Sequence, residues 1–384
     1  MVDNGSTWNT VARQELDAIE ATGLRRRMRE IDGAQSAELR VDGRPVINFS
    51  SNNYLGLANS PVLTEAAARS MAEHGFGAGA SRLIAGNLAP HRALEDRLAR
   101  WKGTESALLF NSGYQANLGT VSALAGPEDV VFSDALNHAS LIDGCRLSKA
   151  RIVVYPHGDL HALDRLLRAE RGRRRLILTD TLFSMDGDRA PLAALSAMAR
   201  AAEAMLIVDE AHAAGIDDDG VAVDLRVGTL GKALGCFGAY VAGSAPLIEL
   251  LTQRARSFIF TTALPVPVVA AAHAAIEWLD SDQGQTRRQQ LLENCRYFHM
   301  RRGLPGSPSH IVPLHVRDGD PRRAMAACEA LLERGVFAQG IRPPTVPPGS
   351  SRLRFALMAT HSRAHLDHAL AALDELREHF PEAP

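Results

Sequence analysis

The chain has 384 residues, 46% of them hydrophobic and 22% charged, so it can bury a large core, and its length alone suggests two or three domains. Forty-two basic against forty-four acidic residues leave a formal net charge of -2, which supplies no global field for nucleic acid or an anionic membrane surface. Four cysteines, Cys145, Cys236, Cys295 and Cys328, are too sparse and too widely spaced for a disulfide framework or a zinc site and fit a reducing cytoplasm.

In chain order, the first thirty residues carry Glu15, Asp17 and Glu20 among their apolar positions, which excludes a signal-peptide core. No uninterrupted apolar run is long enough to span a bilayer. The stretch Leu16 to Met28 has the spacing of an amphipathic helix ending in LRRRM. From there, short apolar runs alternate with helical stretches: ALLF (107–110), DVVF (129–132), RIVVY (151–155), RLILTD (175–180), MLIVDE (205–210) and GAYVAG (238–243). Runs that are apolar on successive residues suit strands buried on both faces, as in a parallel sheet sandwiched by helices. Between them, 191–204 reads as a helix with Pro191 at an early position. The RGRRR run at 171–175 reads as a solvated loop entering a strand. The pattern is α/β. An arm over 1–49, a large domain over 50–275 and a smaller α+β domain over 276–384 are expected.

In an open α/β sheet the chemistry lies at the carboxyl ends of the strands. After ALLF comes Asn111-Ser-Gly-Tyr-Gln-Ala-Asn117, where Gly113 and Tyr114 can present backbone N–H groups to an anion at a helix start; a plain turn is the competing explanation. After DVVF comes His138, whose ordinary role at a helix start is capping or packing. After RLILTD comes Thr181-Leu-Phe-Ser-Met-Asp-Gly187, and after MLIV comes Asp209-Glu-Ala-His212. Asp209 ends a buried run, where an unpaired carboxylate is costly, so it calls for a cation or a proton donor. A metal pair with His212 lacks the HExxH spacing and a third ligand. His361, His365 and His368, and likewise His157 and His161, are expected as surface helix residues, and no metal site is expected.

The stretch TLGKALG (229–235) sets Lys232 between small neighbours after an apolar run. A phosphate-binding loop needs glycine where Arg226 stands and a hydroxyl residue where Ala233 stands, so two explanations remain, an ordinary exposed lysine or a Schiff-base amine. An anion cradle, a flat aromatic base, a buried carboxylate and a glycine-flanked lysine together match the needs of pyridoxal 5'-phosphate (PLP).

SSNNYLGL (50–57), NSGYQAN, NHASL (137–141), FSMDGD (183–188), DEAH, TLGKALG and IRPPTVPPGSSRLR (341–354) resemble, in order, the α-oxoamine synthases of the fold type I PLP enzymes, from about residue 20 onward. The resemblance implies a large domain with a mostly parallel sheet between helices and a smaller α+β domain. It implies that Lys232 carries PLP as a Schiff base and later acts as proton-transfer base, that His138 stacks on the ring, that Asp209 pairs with the ring nitrogen and that His212 contacts the phenolic oxygen. Ser184 and Thr229 would fix ring and phosphate, Gly113 and Tyr114 would donate N–H groups to the phosphate, and Thr262 would reach it from the partner subunit of a homodimer. Arg354 would bind the amino-acid carboxylate, and Arg25, Asn52, His138 and Thr345 would contact substrate. The last motif is most similar to the branch that condenses L-alanine with pimeloyl-CoA or a pimeloyl carrier protein. Relatives that use glycine or serine, such as glycine C-acetyltransferase, and a non-catalytic partner subunit are the alternatives. PxxP patterns in 341–354 also match a polyproline ligand, but a docking tail does not run into a core strand such as RLRFAL. The chain departs from the family pattern at His212-Ala-Ala-Gly215, where His-Gly-Thr-Gly is expected, in a shortened 216–227 segment, and at Asn53, where aspartate is common.

Overall fold

Apolar runs without polar alternation need cover on both faces, and the fold provides it for the inner strands of its largest sheet but not for RIVVY at the sheet edge, where Ile152 and Val154 are exposed. In a computed structural model, which describes residues 7–217 and 219–380, the chain divides into a unit over Asn52–Glu293 and a second unit made of its two ends, up to Ser51 and from Asn294.

The N-terminal end supplies α1 (Thr7–Ala21), β1 (Ile31–Asp32), β2 (Glu38–Val41) and β3 (Arg44–Asn48). The larger unit follows with α2 (Pro61–His74), α3 (Ala89–Lys102), β4 (Ser106–Phe110), α4 (Gly113–Leu124), β5 (Val130–Asp134), α5 (Ala139–Ser148), β6 (Arg151–Tyr155) and α6 (Leu160–Ala169). It continues through β7 (Arg175–Asp180), α7 (Leu192–Ala201), β8 (Met205–Asp209), β9 (Leu225–Thr229), β10 (Ala239–Gly243), α8 (Ala245–Arg254), α9 (Arg256–Ile259) and α10 (Val266–Asp280) to α11 (Asp282–Arg302), within which the division falls. The C-terminal end supplies β11 (Ile311–His315), α12 (Pro321–Glu333), β12 (Val336–Phe337), β13 (Gln339–Ile341), β14 (Arg352–Ala356) and α13 (Arg363–Glu375).

The larger unit is built on a seven-stranded sheet in the order β4-β10-β9-β8-β7-β5-β6. Pairs among β5 to β9 are parallel, and β10 alone runs antiparallel, to both β4 and β9. Successive residues of a strand go to opposite faces. Leu176, Leu178 and Ile207 join one apolar cluster with residues of α4, α5 and α8, while Ile177, Leu206 and Val208 join another with residues of α6 and α7. The uninterrupted runs thus reflect two covered faces.

RIVVY and RLILTD have the expected bounds, while the DVVF strand starts one residue late and runs on to Asp134. Asp129 is left in the preceding turn, its side chain fully enclosed and held by Arg174 Nη2 at 2.7 Å and Arg173 Nε at 3.2 Å. Two arginines of the 171–175 run therefore grip a buried carboxylate. Pro191 is the N-cap of α7 instead of lying inside it. Helix α1 stops at Ala21, well short of Met28, because Gly23 adopts φ 71° and turns the chain out of the helix. The LRRRM arginines consequently lie outside any helix.

In the unit of chain ends, β12 pairs in parallel with β3, completing the sheet β1-β2-β3-β12, and β11-β14-β13 form a second, antiparallel sheet. The arm expected over 1–49 is thus continuous with the C-terminal segment. The smaller body begins at 294 where 276 was expected, since α10 packs along α2 and α3.

Candidate active site

Parallel pairing aligns Asp180 at the end of β7 with Asp209 at the end of β8, and β9 ends beside them at Thr229. Both aspartates are buried. Asp209 Oδ1 accepts from the Ala211 N–H at 2.8 Å and Oδ2 from Asn117 Nδ2 at 2.6 Å. No cation pairs with Asp209 among the described residues. Asp180 is different: burial, with the charge of Asp209 beside it, pushes its pKa well up.

The turn after β9 presents Lys232. It closes through the Cys236 N–H to the Leu230 carbonyl at 2.8 Å, and Gly235 takes φ 68°, where an added Cβ would lie 2.5 Å from the Ala58 nitrogen. Lys232 Nζ lies 2.9 Å from His212 Nε2, and His212 Nδ1 lies 2.7 Å from the Tyr54 hydroxyl, which donates to Asn52 Oδ1 at 2.9 Å. With Asn52 as the final acceptor, the chain is satisfied by a neutral His212 protonated at Nδ1, whose Nε2 accepts from the lysine.

Asn117, on α4, also donates to Ser140 Oγ at 2.9 Å, and that hydroxyl lies 2.7 Å from His138 Nδ1. A relay therefore runs from Asp209 to His138. His138 is the N-cap of α5, its Nδ1 accepting from the Ser140 N–H at 3.3 Å, and its ring is otherwise open to solvent. The protein mass around it lowers its pKa; Lys232 acts in the same direction and Asp209 against it. Capping and a flat open ring coexist in one residue.

Helix α4 begins at Gly113, with Ser112 Oγ accepting from the Gln115 N–H at 3.2 Å. The N–H groups of Gly113 and Tyr114 remain the orphan donors of its first turn. A Cβ built on Gly113 would lie 4.0 Å from Thr229 Cβ, so this helix start and the end of β9 face the same space. Thr229 Oγ1 donates to the Gly238 carbonyl at 3.1 Å and accepts from the Gly231 N–H at 3.2 Å.

These residues fit PLP. A buried carboxylate lacking a cation suits the ring N–H, orphan N–H groups at a helix start suit a phosphate, and an amine suits the aldehyde.

Ser184 lies half-buried in the loop between β7 and α7. That loop is fastened by His157, whose Nδ1 lies 2.9 Å from Asp134 and Nε2 2.8 Å from Asp188; the two carboxylates raise its pKa to about 10. His157 precedes α6 and is a clasp, where a surface helix position was expected. His361 differs from expectation too. It precedes α13 and is buried, its Nδ1 accepting from the Met358 N–H at 3.1 Å, and burial pushes its pKa down to about 4. Thr262 is exposed, its carbonyl accepting from Asn111 Nδ2 at 2.8 Å. Asn53 Oδ1 caps the Ala58 N–H at 3.1 Å, so the amide does the work of an aspartate there. The shortened segment after His212 is tied down by ion pairs from Arg189 to Asp217 at 2.5 Å and from Arg226 to Asp219 at 2.8 Å.

Arg25, Thr345 and Arg354 belong to the unit of chain ends. Arg354 is buried at the middle of β14, between Pro313 and Gln339 on its neighbours. Thr345 is exposed in the loop before it. The Arg25 side chain is 42% exposed and lies 3.4 Å from Glu20. Sequence reasoning passed over Tyr54, Asn117, Ser140 and Asp180 as site residues. The first three lie inside the motifs SSNNYLGL, NSGYQAN and NHASL, and Asp180 closes an apolar run as Asp209 does.

A seven-stranded, mostly parallel sheet with a lysine and a buried aspartate at its strand ends defines a fold type I PLP enzyme. The sequence family described as aminotransferase class I and II matches residues 44–373, and the chain belongs to it. An 8-amino-7-oxononanoate synthase of Geobacter sulfurreducens is 50% identical over 94% of this chain and 96% of its own length. Among solved structures, a serine palmitoyltransferase of Sphingomonas wittichii matches with a TM-score of 0.88 at 32% identity, covering 98% of both chains. An 8-amino-7-oxononanoate synthase of Francisella tularensis matches with a TM-score of 0.73 at 27% identity, covering 86% of this chain and 97% of its own.

Proposed function

We infer that this chain is a PLP-dependent acyltransferase that condenses L-alanine with a pimeloyl thioester, on CoA or a carrier protein, releasing carbon dioxide and 8-amino-7-oxononanoate for biotin synthesis. The observation that carries the chemistry is the buried Asp209 carboxylate without a cation, set at the strand ends with Lys232. The near full-length identity to a named synthase, together with the IRPPTVPPGSSRLR motif, supports the substrates.

When bound, PLP draws off the electrons released at the amino acid's Cα. Lys232 would hold the cofactor, and its Nζ, once free, would take the Cα proton of the amino acid and return one after carbon dioxide is lost. Its hydrogen bond to His212 Nε2 keeps that amine oriented. Asp209 holds the ring-nitrogen proton, with Asn117 and the Ala211 N–H fixing its two oxygens. His138 offers its open ring face to the cofactor ring. The N–H groups of Gly113 and Tyr114, with Thr229 and Ser184, take the phosphate and ring oxygens. Arg354 holds the alanine carboxylate, and Asn52, Thr345 and Arg25 contact substrate.

A homodimer belongs to this reading, with Thr262 of one copy serving the phosphate of the other. Its support is an exposed apolar surface. Phe76, Leu83, Ile84 and Phe260 are all exposed, and their segments adjoin through the Ser81–Thr262 bridge. Several large apolar side chains exposed on neighbouring segments suit an interaction surface.

The test is incubation of purified protein with PLP, pimeloyl-CoA and one amino acid at a time. Alanine should release free thiol and carbon dioxide and give a nine-carbon amino-oxo acid, and the protein should sediment as a dimer. Turnover with glycine or serine in preference to alanine would reject the assignment.

A further inference from the structure

Asn117 is an unusual residue to enclose. It is 1% exposed on α4; its Nδ2 gives one hydrogen to Asp209 Oδ2 at 2.6 Å and the other to Ser140 Oγ at 2.9 Å, while its Oδ1 is buried with no partner. A buried acceptor left empty is costly. The opposite orientation of the amide would set Oδ1 against the Asp209 carboxylate, lone pairs against lone pairs, so the empty acceptor follows from donating twice. Ser140, on α5, is fully enclosed. It comes within reach because Gly144 lets α5 close on α4: a Cβ there would lie 3.2 Å from the Asn117 carbonyl oxygen. With Asn117 donating into it, the Ser140 hydroxyl has its own hydrogen left to give, and His138 Nδ1 lies 2.7 Å away. The Ser140 N–H reaches the same nitrogen at 3.3 Å. Two donors converge on Nδ1, so that nitrogen keeps its lone pair and the imidazole hydrogen sits on Nε2.

We propose that Asn117 and Ser140 are positioning residues that fix His138 as the neutral tautomer protonated at Nε2. The proposal rests on reading His138 as the residue stacked on the cofactor ring. Asp209 serves to hold a proton, and with it a positive charge, on the nitrogen of that ring. An imidazolium stacked on the same ring would oppose it, like charge against like. One hydrogen-bonded chain meets both demands, because the amide that steadies Asp209 also turns the serine hydroxyl towards His138, where it competes with a proton for Nδ1. The charged groups that face His138 are Asp209, Lys232 and Asp180, the last accepting its backbone N–H. Among the described residues it is Ser140 that addresses a ring nitrogen.

The test reads the ring itself. Full-length protein labelled with 13C and 15N in histidine, without and with PLP, reports the His138 tautomer through its 13Cδ2 and ring-nitrogen shifts, the signal being assigned by its loss in His138→Gln. Wild type should carry the hydrogen on Nε2. Ser140→Ala should shift the ring towards a mixture of tautomers and raise the pH at which it takes up a second proton, since the competing donor is gone. Asn117→Asp puts an acceptor where a donor stood, so the Ser140 hydroxyl should turn to it and His138 should move its hydrogen to Nδ1, although residue 117 does not touch the ring. Should that variant fail to fold beside Asp209, Asn117→Ala serves, because Ser140 Oγ regains a free acceptor site and the tautomers should mix. With alanine and pimeloyl-CoA, Ser140→Ala should lower kcat by roughly 2- to 10-fold, the range for one neutral hydrogen bond, and change KM for alanine less. Hydrogen on Nδ1 in wild type overturns the proposal. So does an unchanged tautomer in both Ser140→Ala and Asn117→Ala, as a purely structural link between α4 and α5 would give whatever their melting temperatures, and so does full turnover by Ser140→Ala with a mixed tautomer. If the tautomers respond as stated but the PLP-loaded wild type does not condense alanine with pimeloyl-CoA, the relay stands and the synthase reading falls.

Discussion

Lys102 and Lys232 share the larger unit but have opposite surroundings. Lys102 Nζ is 2.7 Å from Glu210 Oε1 and stacks 4.1 Å from the Trp101 ring, so its charge is neutralised and enclosed. Lys232 Nζ instead lies 2.9 Å from an imidazole nitrogen, His212 Nε2. An amine has to be unprotonated to attack a carbonyl. Borohydride reduction of the PLP-loaded protein should therefore fix the cofactor on Lys232 alone, as read by peptide mass. Lys232→Ala should lose the covalent link and all turnover while still folding, as read by its thermal melt. Label found on Lys102 or Lys149 would overturn the site. TLGKALG singles out Lys232 as the candidate in the sequence, but the partners of the buried carboxylate were not legible there. Asn117 and Asp209 stand 92 positions apart, and nothing local in NSGYQAN marks its last residue as the one that donates to the aspartate. Side chains that meet only through tertiary folding leave no periodic trace.

At the scale of elements, the loop between β7 and α7 depends on a clasp that titrates. His157 has a folded-state pKa of about 10 against the usual 6.5, because the hydrogen bonds its ring N–H groups donate to Asp134 and Asp188 favour its charged form. A raised histidine pKa contributes stability that is fully present below pH 6.5 and is lost as pH rises through 10. Comparison of His157→Gln with wild type by chemical denaturation should show the largest deficit near pH 6, shrinking steadily to little above pH 10. A deficit independent of pH would mean that the imidazole acts by packing against Phe183 alone, whose ring it meets edge-on at 4.4 Å. The inner strands were legible because they are covered on both faces, which forces apolar residues at successive positions, whereas β6, at the sheet edge, leaves Ile152 and Val154 exposed. The end of α1 was not, since the apolar spacing continues through LRRRM and only Gly23 interrupts it. His361 was misplaced for a related reason: its i, i+4 spacing from His365 fits a helix face, but the helix begins one residue after its N-cap, Ser362, and leaves His361 in the core.

For the whole molecule, the two units differ in how far apart along the chain their parts lie. The seven-stranded sheet draws on one continuous segment, 106–243, whereas the small sheet joins β3 to β12. Its apolar cluster, Leu39, Val41 and Val46, is closed by Leu332 from α12. On a ribosome, that cover is made about 290 residues after β3. At roughly 5–20 residues per second, the first strands wait roughly 15–60 s for it. During that interval β3 is an open edge carrying an uncovered apolar face, the condition under which strands pair with the wrong chain. Nascent chains stalled after residue 293 should accordingly be cut by protease within residues 31–51 while 52–293 resists, and protection of the arm should appear only once α12 and β12 have left the exit tunnel. The route by which this polypeptide is made, and not only its finished form, therefore requires that something shield its first fifty residues until its last hundred are synthesised.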